Sequence, residues 1–186
     1  IFRKAAGRLP AQADLAVLRF NTRGTISPRG QSDGAFDGGR AEAFDVAAAM
    51  DFVRERNLPN PWLVGWSFGT ESAPKHGRDH EIAGLILLSP PLHRATAEEV
   101  AQWADEPTPI VIVVPEHDDY LKPDEARERF ASIPHAVIID VDGGRHLWVG
   151  EHQTRRVLTE IVAAVNPEAL PLSTQWDDGE DVKPRA

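Results

Sequence analysis

Gly65-Trp66-Ser67-Phe68-Gly69 sets a serine between two glycines. A serine hydroxyl is a weak nucleophile until a base takes its proton, and that base needs a third group to orient it. A sharp strand-to-helix turn presents the hydroxyl above the edge of a sheet. It also aims the first amides of the next helix at developing negative charge. Gly65 and Gly69 are small enough for so tight a turn, and Leu63-Val64 puts an apolar strand directly before it. The chemistry implied is acyl transfer to Ser67, with the backbone N–H of Phe68 as one oxyanion donor, a role that needs no particular side chain. Trp66 and Phe68 read as packing residues beside the turn. By itself the pentapeptide also fits a glycine-rich turn with an incidental serine.

The elements that must position this turn are legible around it. Leu15 to Asn21 is short, apolar and bounded by polar residues, the pattern of a buried strand. A loop rich in Gly, Ser, Pro and Asp runs from Thr22 to Arg40, and Ala41 to Arg56 carries Phe44, Ala48 and Phe52 at helical spacing. Further strands are expected at Trp62–Trp66, Gly84–Leu88, Ile110–Val114 and Ala136–Val141. Helices are expected at Thr96–Ala104, Pro123–Ser132 and Leu147–Val165, the first capped by Thr96 and the second opened by proline. Pro74 predicts a kink or an early end in the helix after Ser67. Strands that alternate with helices, each a near-continuous Val/Ile/Leu run, define an α/β class with a mostly parallel sheet covered by helices on both faces. One domain is expected over residues 1–167, followed by an acidic, proline-containing tail over 168–186 that packs weakly or stays mobile.

Composition narrows the partners. The chain has 186 residues and a formal net charge of −9, which disfavours nucleic acid and anionic membrane surfaces, since both call for a basic face. It has no cysteine, which removes disulfides, thiolate zinc sites and a cysteine nucleophile, and which fits a reducing cytoplasm, the expected location. No apolar run approaches the roughly 18 to 20 residues that span a bilayer. No cofactor and no metal is expected. His76 and His80 are spaced i, i+4 near Asp79 and Glu81, but with no third convincing ligand they read as residues of a surface helix. His93, His135 and His152 read as surface residues.

Asn21-Thr22-Arg23-Gly24, Ser27 to Gly34 and Phe36-Asp37-Gly38-Gly39, together with the Gly65–Gly69 turn, resemble α/β-hydrolase-fold proteins. More closely, they resemble a group of small, lid-poor bacterial serine hydrolases. The resemblance covers nearly the whole chain up to about Pro167. It implies the order nucleophile, acid, base, each after a successive strand. The acid then belongs to Pro115-Glu116-His117-Asp118-Asp119-Tyr120. The family's acid falls three residues after a position usually held by glycine, here Pro115, which points to Asp118; Asp119 and Glu116 remain open. The base belongs to Asp142-Gly143-Gly144-Arg145-His146, and of seven histidines only His146 lies in a Gly-rich loop just after the last strand. Between Ser89 and Pro109 there is room for one short helix and none for a lid, so an open cleft is expected. Leu92 and Trp103 either line that cleft or pack the helix on the core.

In the fold this resemblance implies, a strand lies between Leu15–Asn21 and the nucleophile strand, and its following loop gives a second oxyanion donor. Nothing before Leu15 matches that strand or loop, and the chain opens at Ile1 rather than Met. The expectation is an α/β-hydrolase fold lacking its N-terminal strands, from a protein that extends upstream by a few dozen residues. Hydrolysis of a carboxylic ester or thioester by way of an acyl-enzyme, on a small-molecule acyl substrate, is the function implied. The alternative is a non-catalytic α/β-hydrolase-like protein used for binding or assembly.

Overall fold

Four of the expected apolar runs form one parallel sheet. In the computed structural model, which describes residues 1–28 and 30–175, strands β3 (Trp62–Trp66), β4 (Gly84–Leu88), β5 (Ile110–Pro115) and β6 (Val137–Val141) lie side by side in that order. Two-residue strands β1 (Ile26–Ser27) and β2 (Gly30–Gln31) pair antiparallel within the long loop. Arg29 and residues 176–186 lie outside the described residues, and with them much of the tail expected over 168–186. The register pairs Trp66 with Leu88 and Pro115 with Val141. The parallel strands therefore end together, and the loops after β3, β4, β5 and β6 leave from one edge, where open α/β sheets place their sites.

The chain separates into two compact units. Phe20–Leu147 holds the sheet with α2 (Ala43–Glu55), α3 (Gly69–Gly77), α4 (Ala97–Ala101) and α5 (Pro123–Arg129). Every residue of β4 is buried, which explains why its sequence is continuously apolar rather than alternating. Leu85, Leu87, Ile110, Ile112 and Val114 build the core with Trp103 and Phe130. Each such side chain contributes about 1.5–3 kcal/mol of burial. Leu92 and Trp103 belong to this core, and the Trp103 indole donates to the Pro74 carbonyl at 2.9 Å. They pack α4 rather than line a cleft.

The other unit joins Ile1–Arg19 to the chain from Trp148 onward. It contains α1 (Phe2–Ala13), α6 (Glu151–Val165) and a 3-10 turn at Pro167–Ala169. Arg8 is buried and reaches Glu151 at 2.5 Å, while Lys4 reaches the same carboxylate at 3.0 Å. Asn166 donates to the Ala13 carbonyl and the Ser173 amide to Gln12, and Leu172 is buried, so the described start of the tail is tied to α1.

Three sequence expectations need correction. Leu15–Asn21 is in no strand, and Leu18 and Phe20 are exposed. An apolar run becomes a strand only when a neighbour completes its hydrogen-bond ladder, and β3 is the edge of the described sheet. The helix after Ser67 is not cut at Pro74: α3 continues to Gly77. The proline removes one bond, to the Thr70 carbonyl, while its own carbonyl is bound by Trp103 and Gln102. The last helix begins at Glu151 rather than Leu147, because Trp148 (φ 52°) and Gly150 (φ 92°) are left-handed and cannot start an α-helix.

Candidate active site

Ser67 follows β3 with φ of 51°, a backbone state that costs a residue with a side chain roughly 1–3 kcal/mol. Its surroundings hold it there. The Ser67 amide donates to the Leu88 carbonyl at 3.0 Å, and the Ser67 carbonyl accepts from the Thr70 amide at 2.8 Å and the Thr70 hydroxyl at 2.6 Å. A Cβ on Gly65 would sit 2.4 Å from the Gly69 carbonyl oxygen, so the turn requires glycine there. At Gly69 an added Cβ meets nothing within 4 Å. Only the first of the two glycines is demanded by space. The Phe68 N–H, at the cap of α3, has no acceptor among the described residues.

The loops after β5 and β6 are built against each other. Gly144 packs so closely that a Cβ would lie 2.7 Å from the Val141 oxygen and 3.0 Å from the Pro115 Cα. The His117 amide donates to the Gly144 carbonyl at 2.9 Å, and the Asp118 amide turns back to the Pro115 carbonyl at 3.2 Å. Of the three acids left open by the sequence, Asp119 and Glu116 are exposed, and Glu116 accepts from the Gly143 amide. Asp118 is buried and turned inward, with the Tyr120 amide on its Oδ1 at 2.9 Å.

The three side chains meet in a relay. His146 Nδ1 lies 3.0 and 3.2 Å from the two Asp118 carboxylate oxygens, and Nε2 lies 2.8 Å from Ser67 Oγ. The imidazole and carboxylate are almost wholly shielded, with 8% and 1% of their side-chain surfaces exposed. A buried carboxylate that can only accept fixes the ring's proton on Nδ1 and leaves Nε2 to accept from the serine hydroxyl.

Four supports were not read from the sequence. The Trp66 indole and the Ser89 hydroxyl both donate to the His146 carbonyl, at 3.1 and 3.2 Å. The Tyr120 ring stands edge-on to the His146 imidazole, 4.6 Å between centroids. Glu71, buried on α3, accepts from the His93 and Arg94 amides and so fixes the loop after β4. An acidic residue among the small residues that open this helix was the available signal. His76 lies on α3 and bonds the Gly39 carbonyl, whereas His80 lies beyond the helix end, so the i, i+4 pair does not share one helix. Among the described residues no group of three or more His, Cys, Asp or Glu could hold a metal, and no helix is long and apolar enough to cross a membrane.

No protein-family profile matches the chain. It is 32% identical over 170 residues to an uncharacterized protein of Rickettsia prowazekii (strain Madrid E), covering 86% of this chain and 67% of that one. It resembles the structure of an α/β serine hydrolase homologue from Coxiella burnetii, with 26% identity and a TM-score of 0.69, over 87% of this chain and 77% of that one. In fold it also resembles a lid-lacking α/β serine hydrolase of Xanthomonas campestris, with 24% identity and a TM-score of 0.60. That match covers 80% of this chain and 63% of the Xanthomonas protein. The parallel sheet, the turn at Ser67 and these likenesses define an α/β-hydrolase fold. The chain belongs to the α/β-hydrolase superfamily.

Proposed function

We propose that the protein is a serine hydrolase that cleaves a carboxylic ester or thioester through an acyl-enzyme. The observation that carries this reading is the 2.8 Å approach of His146 Nε2 to Ser67 Oγ, on a ring whose other nitrogen is held by buried Asp118. Ser67 Oγ attacks the carbonyl carbon as its proton passes to His146 Nε2. Asp118 keeps the ring oriented and stabilises the imidazolium that forms. The Phe68 N–H donates to the oxyanion. Collapse of the tetrahedral intermediate expels the alcohol or thiol, which takes the proton from His146. Water then attacks the Ser67 ester with His146 again as base, releasing the acid and restoring the hydroxyl.

A fluorophosphonate probe tests this directly. Labelling of the wild-type protein that disappears in Ser67→Ala is the expected result. No labelling of Ser67, in a protein shown to be folded, contradicts the enzyme reading and favours a binding or assembly role for the fold.

A further inference from the structure

The contacts around Ser67 close into a circuit. His146 touches Ser67, and the Tyr120 ring stands 4.6 Å from the His146 ring. The His93 ring stands 5.1 Å from Tyr120, and Arg94 follows His93 in the chain. The Arg94 guanidinium lies 5.6 Å over the Phe36 ring, which meets Phe68 edge-on at 5.2 Å, and Phe68 is the neighbour of Ser67. Ser67 and Phe68 are half-buried, whereas Phe36, His93, Arg94 and Tyr120 are exposed. The nucleophile therefore lies at the bottom and these four side chains form the rim.

Among the described residues of that rim, Arg94 is the one fixed positive charge. No protein group accepts a hydrogen bond from its guanidinium among the described residues, and half of its side-chain surface faces solvent. Glu71 Oε2, buried and without a hydrogen-bond partner, lies 3.8 Å behind it. That distance holds the guanidinium by charge while leaving its donors unspent. The cation–π approach to Phe36 helps hold the guanidinium at the rim, and its planar fork suits a carboxylate.

We propose that Arg94 is a specificity-determining residue, and that the preferred substrate is an acyl ester or thioester with a carboxylate at the far end of its acyl chain. The methylenes cross the Phe68 and Phe36 rings, and the terminal carboxylate meets the Arg94 fork. Arg94 and the Glu71 charge behind it sum to zero, so a bound monoanion leaves one negative charge uncompensated and a phosphate dianion would leave two, which favours the monoanion. This inference rests on the hydrolase reading above.

The test compares 4-nitrophenyl half esters of adipic and suberic acid with the neutral 4-nitrophenyl hexanoate and octanoate. The readout is the ratio of kcat/KM for charged over neutral ester of equal length, from which any loss of folded protein cancels. The expected ratio exceeds one, falls about ten-fold in Arg94→Gln, the scale of a lost charge-assisted hydrogen bond, and is largely kept in Arg94→Lys. It also falls as salt is raised. An equal ratio in wild type and Arg94→Gln overturns the assignment, as does preference for a phosphoalkyl ester of the same length. If Ser67 still takes a fluorophosphonate and neutral esters still turn over, the assignment fails alone. If neither occurs, the hydrolase reading fails and this inference with it.

Discussion

Trp66, the last residue of β3, donates its indole N–H to the backbone carbonyl of His146 at 3.1 Å. The strand that leads into Ser67 thus also holds the loop that carries His146. Ser89, at the end of the next strand, binds the same carbonyl at 3.2 Å. Replacing Trp66 by Phe keeps most of the packing and removes one donor, at about 1 kcal/mol. The expected result is a fall in kcat of about five-fold for Trp66→Phe. A disproportionately larger fall is expected in the Trp66→Phe/Ser89→Ala double variant, which leaves the carbonyl without either side-chain donor. A double-mutant cycle on ester hydrolysis checks this, and strict additivity would count against a shared role.

The two glycines of the turn should behave differently. Gly65→Ala drives a methyl group into the Gly69 carbonyl and the Thr70 amide, both backbone, so it should cost at least about 3 kcal/mol and abolish labelling of Ser67. Gly69→Ala has open space, lies in α3, and should leave thermal stability unchanged or slightly raised, because alanine costs less backbone entropy in a helix. Thermal unfolding of the two variants side by side decides the point.

The rim loop has its own anchor. Glu42 is wholly buried, and its two carboxylate oxygens accept from the Asp37 and Gly39 amides at 3.0 and 2.8 Å. Those amides bracket the turn that follows Phe36. Glu42→Ala should release two charge-assisted bonds of roughly 1.5–3 kcal/mol each, destabilising the protein and loosening the loop. Among molecules that remain folded, KM should rise more than kcat falls. A variant with normal KM and reduced kcat would show that the loop does not shape the rim.

The smaller unit carries an acid-sensitive contact. Hydrogen bonds from Arg8, with Lys4 and their charges adding to them, hold the Glu151 carboxyl down at about 2. A carboxyl depressed in the folded state binds its proton more readily once unfolded. Its stabilising contribution is therefore complete above the ordinary carboxylate range and is lost as pH falls from about 4.5 towards 2. Glu151 is half exposed, so solvent reduces the effect. Unfolding temperatures measured across that window should fall more steeply in wild type than in Glu151→Gln, and parallel curves would contradict the assignment.

The sequence was most legible where one local pattern sufficed. The strands at Trp62–Trp66 and Gly84–Leu88 stand where their apolar runs predict, and Thr96 caps α4 through a full capping box. Asp118 and His146 came from the order that the family resemblance implies, with Asp119 and Glu116 left open beside Asp118, and the structure brings Ser67, Asp118 and His146 together. What could not be read depended on partners distant in the chain. Leu15–Asn21 has a strand's composition but no place in a ladder, and α3 runs on through Pro74, whose carbonyl accepts from Trp103 and Gln102 far along the chain. The necessity of Gly65 and the indifference of Gly69 follow from how closely the chain passes itself, which spacing alone does not encode. Tyr120 and Arg94 reach the rim through ring contacts with His93 and Phe36 that no sequence period predicts.

Trapping the acyl-enzyme distinguishes attack by Ser67 from any other route to hydrolysis. The protein is mixed with 4-nitrophenyl acetate, quenched in acid within the first turnovers, and mapped by peptide mass spectrometry. One acetyl group on Ser67 is expected, absent in Ser67→Ala and strongly slowed in His146→Ala. Hydrolysis that proceeds with no adduct on Ser67, or that survives Ser67→Ala at the wild-type rate, would contradict it.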